Sequence, residues 1–318
     1  MIRTAECVSP KHPDKICDRI SDAILDEFLR LDPNSRCAIE TCGGHGKIFI
    51  TGEVTSKGKI SDEQIKGIAL NLAQTDDVIV HLTRQSSEIA QGVDTGGAGD
   101  QGIMIGYACR ENEELLPQEY YLARKLNQYI FETVPFDGKT QITLEGKSVR
   151  VVASFQNAPA VYLEKKCKEF FKQYGYKIKS LHCNPAGDWK LGGLDADAGL
   201  TGRKIAVDNY GPRVPIGGGA FSGKDATKVD RSAAYMARRI AVDILDTNPK
   251  AQEAIVTLAY AIGYDQPLQA TAEVDGVKKQ IKDYDLSPKG IIDFLDLKKP
   301  IYYQTAAYGH MGRNFNWK

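Results

Sequence analysis

The chain lacks net charge, a long apolar run, a paired-cysteine motif and any abundance of histidine, and each absence removes a class of function. Lysine plus arginine and aspartate plus glutamate number 41 each. That balance argues against bulk electrostatic attraction to nucleic acid or an anionic membrane, while a local basic site stays open. No apolar stretch approaches the ~18 residues that a bilayer span needs. The opening Met1-Ile2-Arg3-Thr4-Ala5-Glu6 has no apolar leader core. The seven cysteines, at 7, 17, 37, 42, 109, 167 and 183, form no C-x-x-C pair and are odd in number. Reduced thiols and a cytoplasmic location are the expectation. Five histidines leave little for a polyhistidine metal centre. There is no G-x-S-x-G, no H-E-x-x-H and no G-x-G-x-x-G after a strand. What remains is many cations, a few isolated carboxylates and no evident enzyme nucleophile. This inventory suits a reaction whose nucleophile is a substrate and whose leaving group is a polyphosphate, with the protein supplying position and charge.

What is present is most concentrated between Gly217 and Arg231. Gly217-Gly218-Gly219 lets backbone approach a ligand closely, and Lys224, Asp225, Lys228 and Asp230 follow before an apolar helical pattern begins. Such a stretch can floor a site for phosphates and their metal ions. Gly218 to Lys224 reads as G-x-x-x-x-G-K, but Asp225 stands where a Walker A loop needs Ser or Thr. A second candidate is Ser9-Pro10-Lys11-His12-Pro13-Asp14-Lys15, at a helix N-terminus whose N–H groups and dipole favour anions. There His12 and Lys15 add donors and Asp14 offers a hard oxygen for Mg²⁺. A third runs from Asp195 to Lys204, with two carboxylates, two glycines and the forked-plus-point-charge pair Arg203-Lys204. Asp100, between glycines, and Asp137-Gly138-Lys139 are read as ordinary turns or as ligand contacts.

The length, 318 residues, suggests two or three domains. Helices are expected at Asp14–Leu31, on an apolar stripe of Ile16, Ile20, Ile24, Phe28 and Leu31, and after the capping signature Ser61-Asp62-Glu63-Gln64. Further helices are expected at 119–134, 160–174 and 232–245, and from Ser287-Pro288 to Leu297. Strands are expected at 38–40, 47–55, 77–82, 103–109, 141–144, 149–155, 177–182, 204–208, 255–262 and 269–274. Strand pairs and helices thus recur in three sections, 1–93, 94–190 and 191–318. The expected fold class is α+β: three similar, antiparallel layers.

Read together, the segments identify a family. His12-Pro13-Asp14-Lys15 with Ile20 to Asp26, Gly97 to Gly102, Gly199 to Lys204, Gly217 to Tyr235 and Thr305 to His310 resemble, in order, the signatures of S-adenosylmethionine synthetases (methionine adenosyltransferases). The resemblance covers nearly the whole chain. It implies a compact variant of a fold of three α+β repeats, whose strands can interlace between domains. It implies synthesis of S-adenosylmethionine by attack of the methionine sulfur on C5′ of ATP, with the tripolyphosphate then cleaved to pyrophosphate and phosphate. By the same resemblance His12 contacts the triphosphate near the breaking bond, and Asp14 and Asp230 hold two Mg²⁺ ions. Lys139, Arg203, Lys204 and Lys224 neutralise phosphates, and Asp100 sits near the new sulfonium. Glu53, Gln85, Asp197 and Lys228 face methionine. Glu40 matches the K⁺ position, one ion per subunit. Trp189 stands where a phenylalanine usually stacks on adenine, and Asp137, Asp188 and Ala220 fall at other nucleotide contacts. The family's homodimers build each active site from both subunits and often pair into tetramers.

Three departures stand out. Lys11 replaces a usual glycine and would set a cation beside the phosphates. Asp188 stands where an arginine is common. The lid between Gln85 and Asp100 is short. Two other readings of the same residues are a regulatory paralogue that binds nucleotide without chemistry, and a nucleotide phosphohydrolase that uses water as nucleophile.

Overall fold

The structure is a computed structural model that describes residues 1–75, 77–84 and 96–318. Its elements repeat one broad order three times: a strand, a long helix, a strand hairpin and a second helix. The first round is β1 (Ile2–Val8), α1 (Pro13–Leu31), β2 (Arg36–Gly44), β3 (Lys47–Thr55), α2 (Asp62–Ala73) and β4 (Asp77–Thr83). The second is β5 (Gly102–Cys109), α3 (Gln118–Phe131), β6 (Gly138–Glu145), β7 (Ser148–Phe155), α4 (Ala160–Gln173) and β8 (Lys177–Cys183). The third is β9 (Gly199–Leu200), a short α5 (Ile205–Asp208), α6 (Val229–Thr247), β10 (Glu253–Tyr260), β11 (Gln269–Val274), β12 (Val277–Gln280) and α7 (Pro288–Leu295). A turn of helix, α8 (Tyr302–Thr305), follows.

Among the described residues the strands form three four-stranded sheets, ordered β4-β3-β2-β9, β1-β6-β7-β8 and β12-β11-β10-β5. In every round the opening strand is given away. β1 joins the hairpin of the second round, β5 that of the third, and β9 that of the first. The three layers are therefore interlaced cyclically. Each carries a helix pair on one face: α1 and α2, α3 and α4, α6 and α7.

Local chemistry accounts for the elements. α1 starts where His12 caps and Pro13 occupies the first turn, and Ile16, Ile20, Ile24 and Phe28 bury one stripe on β2. Each such side chain contributes roughly 1.5–3 kcal/mol on burial. Leu31, expected in the stripe, is exposed at the helix end. Ser61 and Gln64 form the anticipated capping box of α2, and Ser287 caps α7.

Three expectations need correction. The sheets are not wholly antiparallel, because β3–β4 and β7–β8 pair in parallel. α2 and α4 are crossover helices in those two connections, which return the chain in the same direction. The segment 204–208, read as a strand, is helical, with Asp208 N bonded to Lys204 O at 2.8 Å. A short apolar run carries no periodicity that separates the two states. α6 begins at Val229 rather than 232, which puts Asp230 in its first turn.

Candidate active site

The sequence-predicted residues fall into two sets. The first gathers the start of α1, the start of β6 and the segment 193–204. Asp14 is buried in the first turn of α1. Its Oδ1 accepts from Leu200 N at 3.0 Å, its Oδ2 is ion-paired with Lys204, and Arg203 Nε lies 3.7 Å from Oδ1. Burial opposes its charge, but the hydrogen bonds from Lys204 and Leu200 hold the carboxyl below the ordinary carboxylate range. His12 Nδ1 accepts from Asp14 N at 3.2 Å. Burial, then the Lys204 ammonium, push the imidazole down to about 4. A neutral ring that accepts at Nδ1 carries its proton on Nε2 and presents it as a donor. Asp137 Oδ2 accepts from Gly193 N at 3.0 Å, and burial raises its carboxyl. Lys139 is half-exposed and ion-paired with Glu6 at 2.7 Å. Asp197 is exposed, and its charge acts on both His12 and Asp137.

The second set is the glycine-rich loop laid along β2 and the start of α6. Ile39 N donates to Gly223 O at 3.0 Å, and Cys37 N donates to Asp225 Oδ1 at 2.7 Å. Gly223 has φ +82°, and a Cβ there would collide with Ile39 O. Only glycine suits both demands. Lys224 Nζ pairs with Asp230 Oδ2 at 2.6 Å, and Lys228, the N-cap of α6, pairs with Asp225 at 2.6 Å. Asp225 is thus a brace for the loop, which explains an aspartate where Walker A has a hydroxyl. Asp100 is exposed just ahead of β5, its Oδ1 accepting from Gln101 N. Glu40 is exposed on β2, and Glu53 is half-buried on β3. Ala220 packs beside Gly202.

The backbones of the two sets touch, β9 pairing with β2 and Ala220 lying beside Gly202, but among the described residues no hydrogen bond or ion pair joins the side chains of Asp14, Arg203 and Lys204 to those of Lys224, Lys228 and Asp230. α1 spans them: Asp14 serves the first, while Asp22 accepts from Gly223 N at 2.8 Å and pairs with Arg231 at 2.6 Å. The two carboxylates are eight positions apart, ~12 Å of helical rise.

Several residues stand differently from their reading. Lys15 is fully buried against Asp18 and Asp208, so it offers no donor to an anion in the open site. Lys11 Nζ reaches Leu72 O, in the last turn of α2, at 3.3 Å, so its charge is held by a helix C-terminus. Asp188 Oδ1 accepts from Ala160 N at 2.9 Å and from Asn184 at 3.0 Å, which ties it to the start of α4. Trp189 is partly buried beside Gly192. Gln85 and the lid through residue 95 lie outside the described residues.

The reading missed Asp18, Asp22, Asp208 and Arg231. Arg231 is fully buried, forks onto Asp22 and donates to Lys224 O at 3.0 Å. The signal was the spacing Asp14, Asp18, Asp22, which sets three carboxylates on one face of α1.

The class defined here is an α+β protein of three interlaced like layers, with lysine–carboxylate pairs at the starts of two long helices. Models of the S-adenosylmethionine synthetase N-terminal, central and C-terminal domains match residues 1–93, 95–174 and 191–318. A solved structure described as an unusual S-adenosylmethionine synthetase from Campylobacter jejuni superposes with a TM-score of 0.88 at 31% identity, covering 99% of this chain and 96% of that one. The chain belongs to the S-adenosylmethionine synthetase family and is a methionine adenosyltransferase.

Proposed function

We propose that the enzyme joins L-methionine to ATP by attack of the sulfur on C5′, expels the intact tripolyphosphate, and cleaves it to pyrophosphate and phosphate. The observation that carries this reading is the pairing of Asp14 with Lys204 and of Asp230 with Lys224. Among the described residues no cluster of three or more His, Cys, Asp or Glu could hold a metal. Mg²⁺ needs no such cluster, since it is commonly held by one or two carboxylates plus substrate phosphates. Asp14 and Asp230 fit that demand. Two Mg²⁺ ions, when bound there, would neutralise phosphate charge. The lysines would turn from their carboxylates to the phosphates, Arg203 and Lys139 adding donors, so that cationic charge meets the charge that builds on the leaving group. His12 Nε2–H would donate to the leaving oxygen. Asp137, Trp189, Asp188 and Ala220 would bound the nucleotide. Asp197, Glu53, Lys228 and Gln85 would orient methionine, and Asp100 would face the sulfonium. The exposed Glu40 is the K⁺ residue of this reading.

The active unit is a homodimer in which the first set of one subunit meets the second set of its partner. Its support is that, among the described residues, no hydrogen bond or ion pair links the Asp14–Lys204 pair to the Asp230–Lys224 pair, together with the apolar strip of Phe49 beside Ile79, exposed on the sheet face opposite the helices. Free thiols at all seven cysteines suit the cytoplasm. Mass spectrometry tests the reaction: S-adenosylmethionine should form from ATP and methionine with Mg²⁺ and not in EDTA. Full product in EDTA would contradict the metal assignment.

A further inference from the structure

We propose that Asp18, Lys15 and Asp208 form a buried positioning device that sets Arg203 and Lys204 for the reaction. This rests on the reading of Lys204 as a phosphate-neutralising residue. Lys15 Nζ lies 2.9 Å from Asp18 Oδ2 and 2.6 Å from Asp208 Oδ1, with all three side chains out of solvent. Each carboxylate also governs backbone on one side of the Arg203-Lys204 pair. Asp18 Oδ1 accepts from Gly202 N at 2.8 Å, one residue before Arg203. Asp208 closes the single turn of α5, its N donating to Lys204 O at 2.8 Å. One ammonium therefore ties the point just before the catalytic cations to the point one turn after them. The brace extends outward. Thr201 Oγ1 bonds Ser21 at 2.9 Å and accepts from Thr41 N at 2.9 Å, and Asp208 O accepts from His310 N at 2.9 Å. His310 belongs to the closing motif, whose Nδ1 bonds Tyr235 OH at 2.7 Å on α6. Stability is a poor reason for such a trio, because desolvation of buried charges offsets much of their attraction. Geometry is a better one, because small displacements of charged groups cost rate.

The test is Asp18→Asn, which keeps an acceptor for Gly202 N–H but turns an amide or a weaker acceptor toward Lys15. In the full-length enzyme with ATP, methionine, Mg²⁺ and K⁺, kcat should fall about 10- to 100-fold, with both KM values within about twofold. Asp208→Asn should behave alike and serves if the first variant fails to fold. Asp26→Asn, a half-buried carboxylate that accepts from Tyr302 N and Tyr303 N, should leave kcat unchanged. In a Lys204→Ala background, Asp18→Asn should add less than about threefold, because residues acting through one group are not additive. Wild-type kcat in both Asn variants, or losses that multiply in that background, would overturn the proposal. A Lys204→Ala enzyme as fast as wild type would instead overturn the reading of Lys204 itself.

Discussion

At the residue scale the site depends on which groups are kept charged and which are kept neutral. His12 is the clearest case, its imidazole pushed to about 4 by burial first and by Lys204 second. The unfolded chain takes up this proton near the ordinary ~6.5, the folded chain only near 4. His12's contribution to stability is therefore full above ~6.5 and is lost as pH falls toward 4. In the metal-free protein the His12 ring resonance should show no titration between pH 8 and 5.5. A midpoint near 6.5 would contradict the neutral donor. The candidate residues were legible in the sequence: Asp14, Lys204, Lys224, Asp230 and the neutral His12 stood out beside glycines and helix starts. Their braces were not. The apolar stripe of α1 marked the face that packs on β2; Asp18 and Asp22 lie outside that stripe, yet both are fully buried. Periodicity marks a face as polar, and only tertiary partners such as Arg231 and Lys15 decide whether it meets water.

At the element scale each sheet is gripped by one long helix, and the closest approach is α6 on β5. A Cβ on Gly106 would collide with the backbone of Ala237. Gly106→Ala should push α6 off the sheet and lower stability by ~1–3 kcal/mol, as overpacking does. Denaturant unfolding measures it, and a midpoint equal to wild type would refute the contact. The strongly periodic helices and the hairpins were legible, and their ends moved by a few residues. Less legible were β1, whose outer residues are exposed, and β12, exposed throughout. Neither has an apolar alternation to announce it. α5 was misread because its short apolar run suits a strand or a helical turn alike, and the partner of its last side chain, Lys15, comes from another round of the fold, where local pattern cannot see it.

At the scale of the whole molecule the cyclic exchange of β1, β5 and β9 makes the three layers one body, and it carries residues from every section to the first set. The three-layer architecture could be anticipated from the recurring order, whereas the strand exchange, a matter of long-range pairing, could not. If each active site joins complementary sets from two subunits, defects in different sets can complement. Lys204→Ala and Lys224→Ala should each lose ~10²–10³ in rate. Mixed and allowed to exchange subunits, they should regain activity, because some heterodimer sites carry neither change. No recovery, with exchange verified by mass spectrometry, would place each site within one subunit. The central claim is that the first nucleophile is the methionine sulfur, attacking C5′ of ATP, and not water attacking a phosphate. Its most direct test is the product balance in one reaction with ATP and Mg²⁺, run with and without methionine. The account predicts S-adenosylmethionine, pyrophosphate and phosphate in equal amounts with methionine, and no comparable phosphate release without it. Phosphate released at the same rate without methionine, and no S-adenosylmethionine, would contradict it.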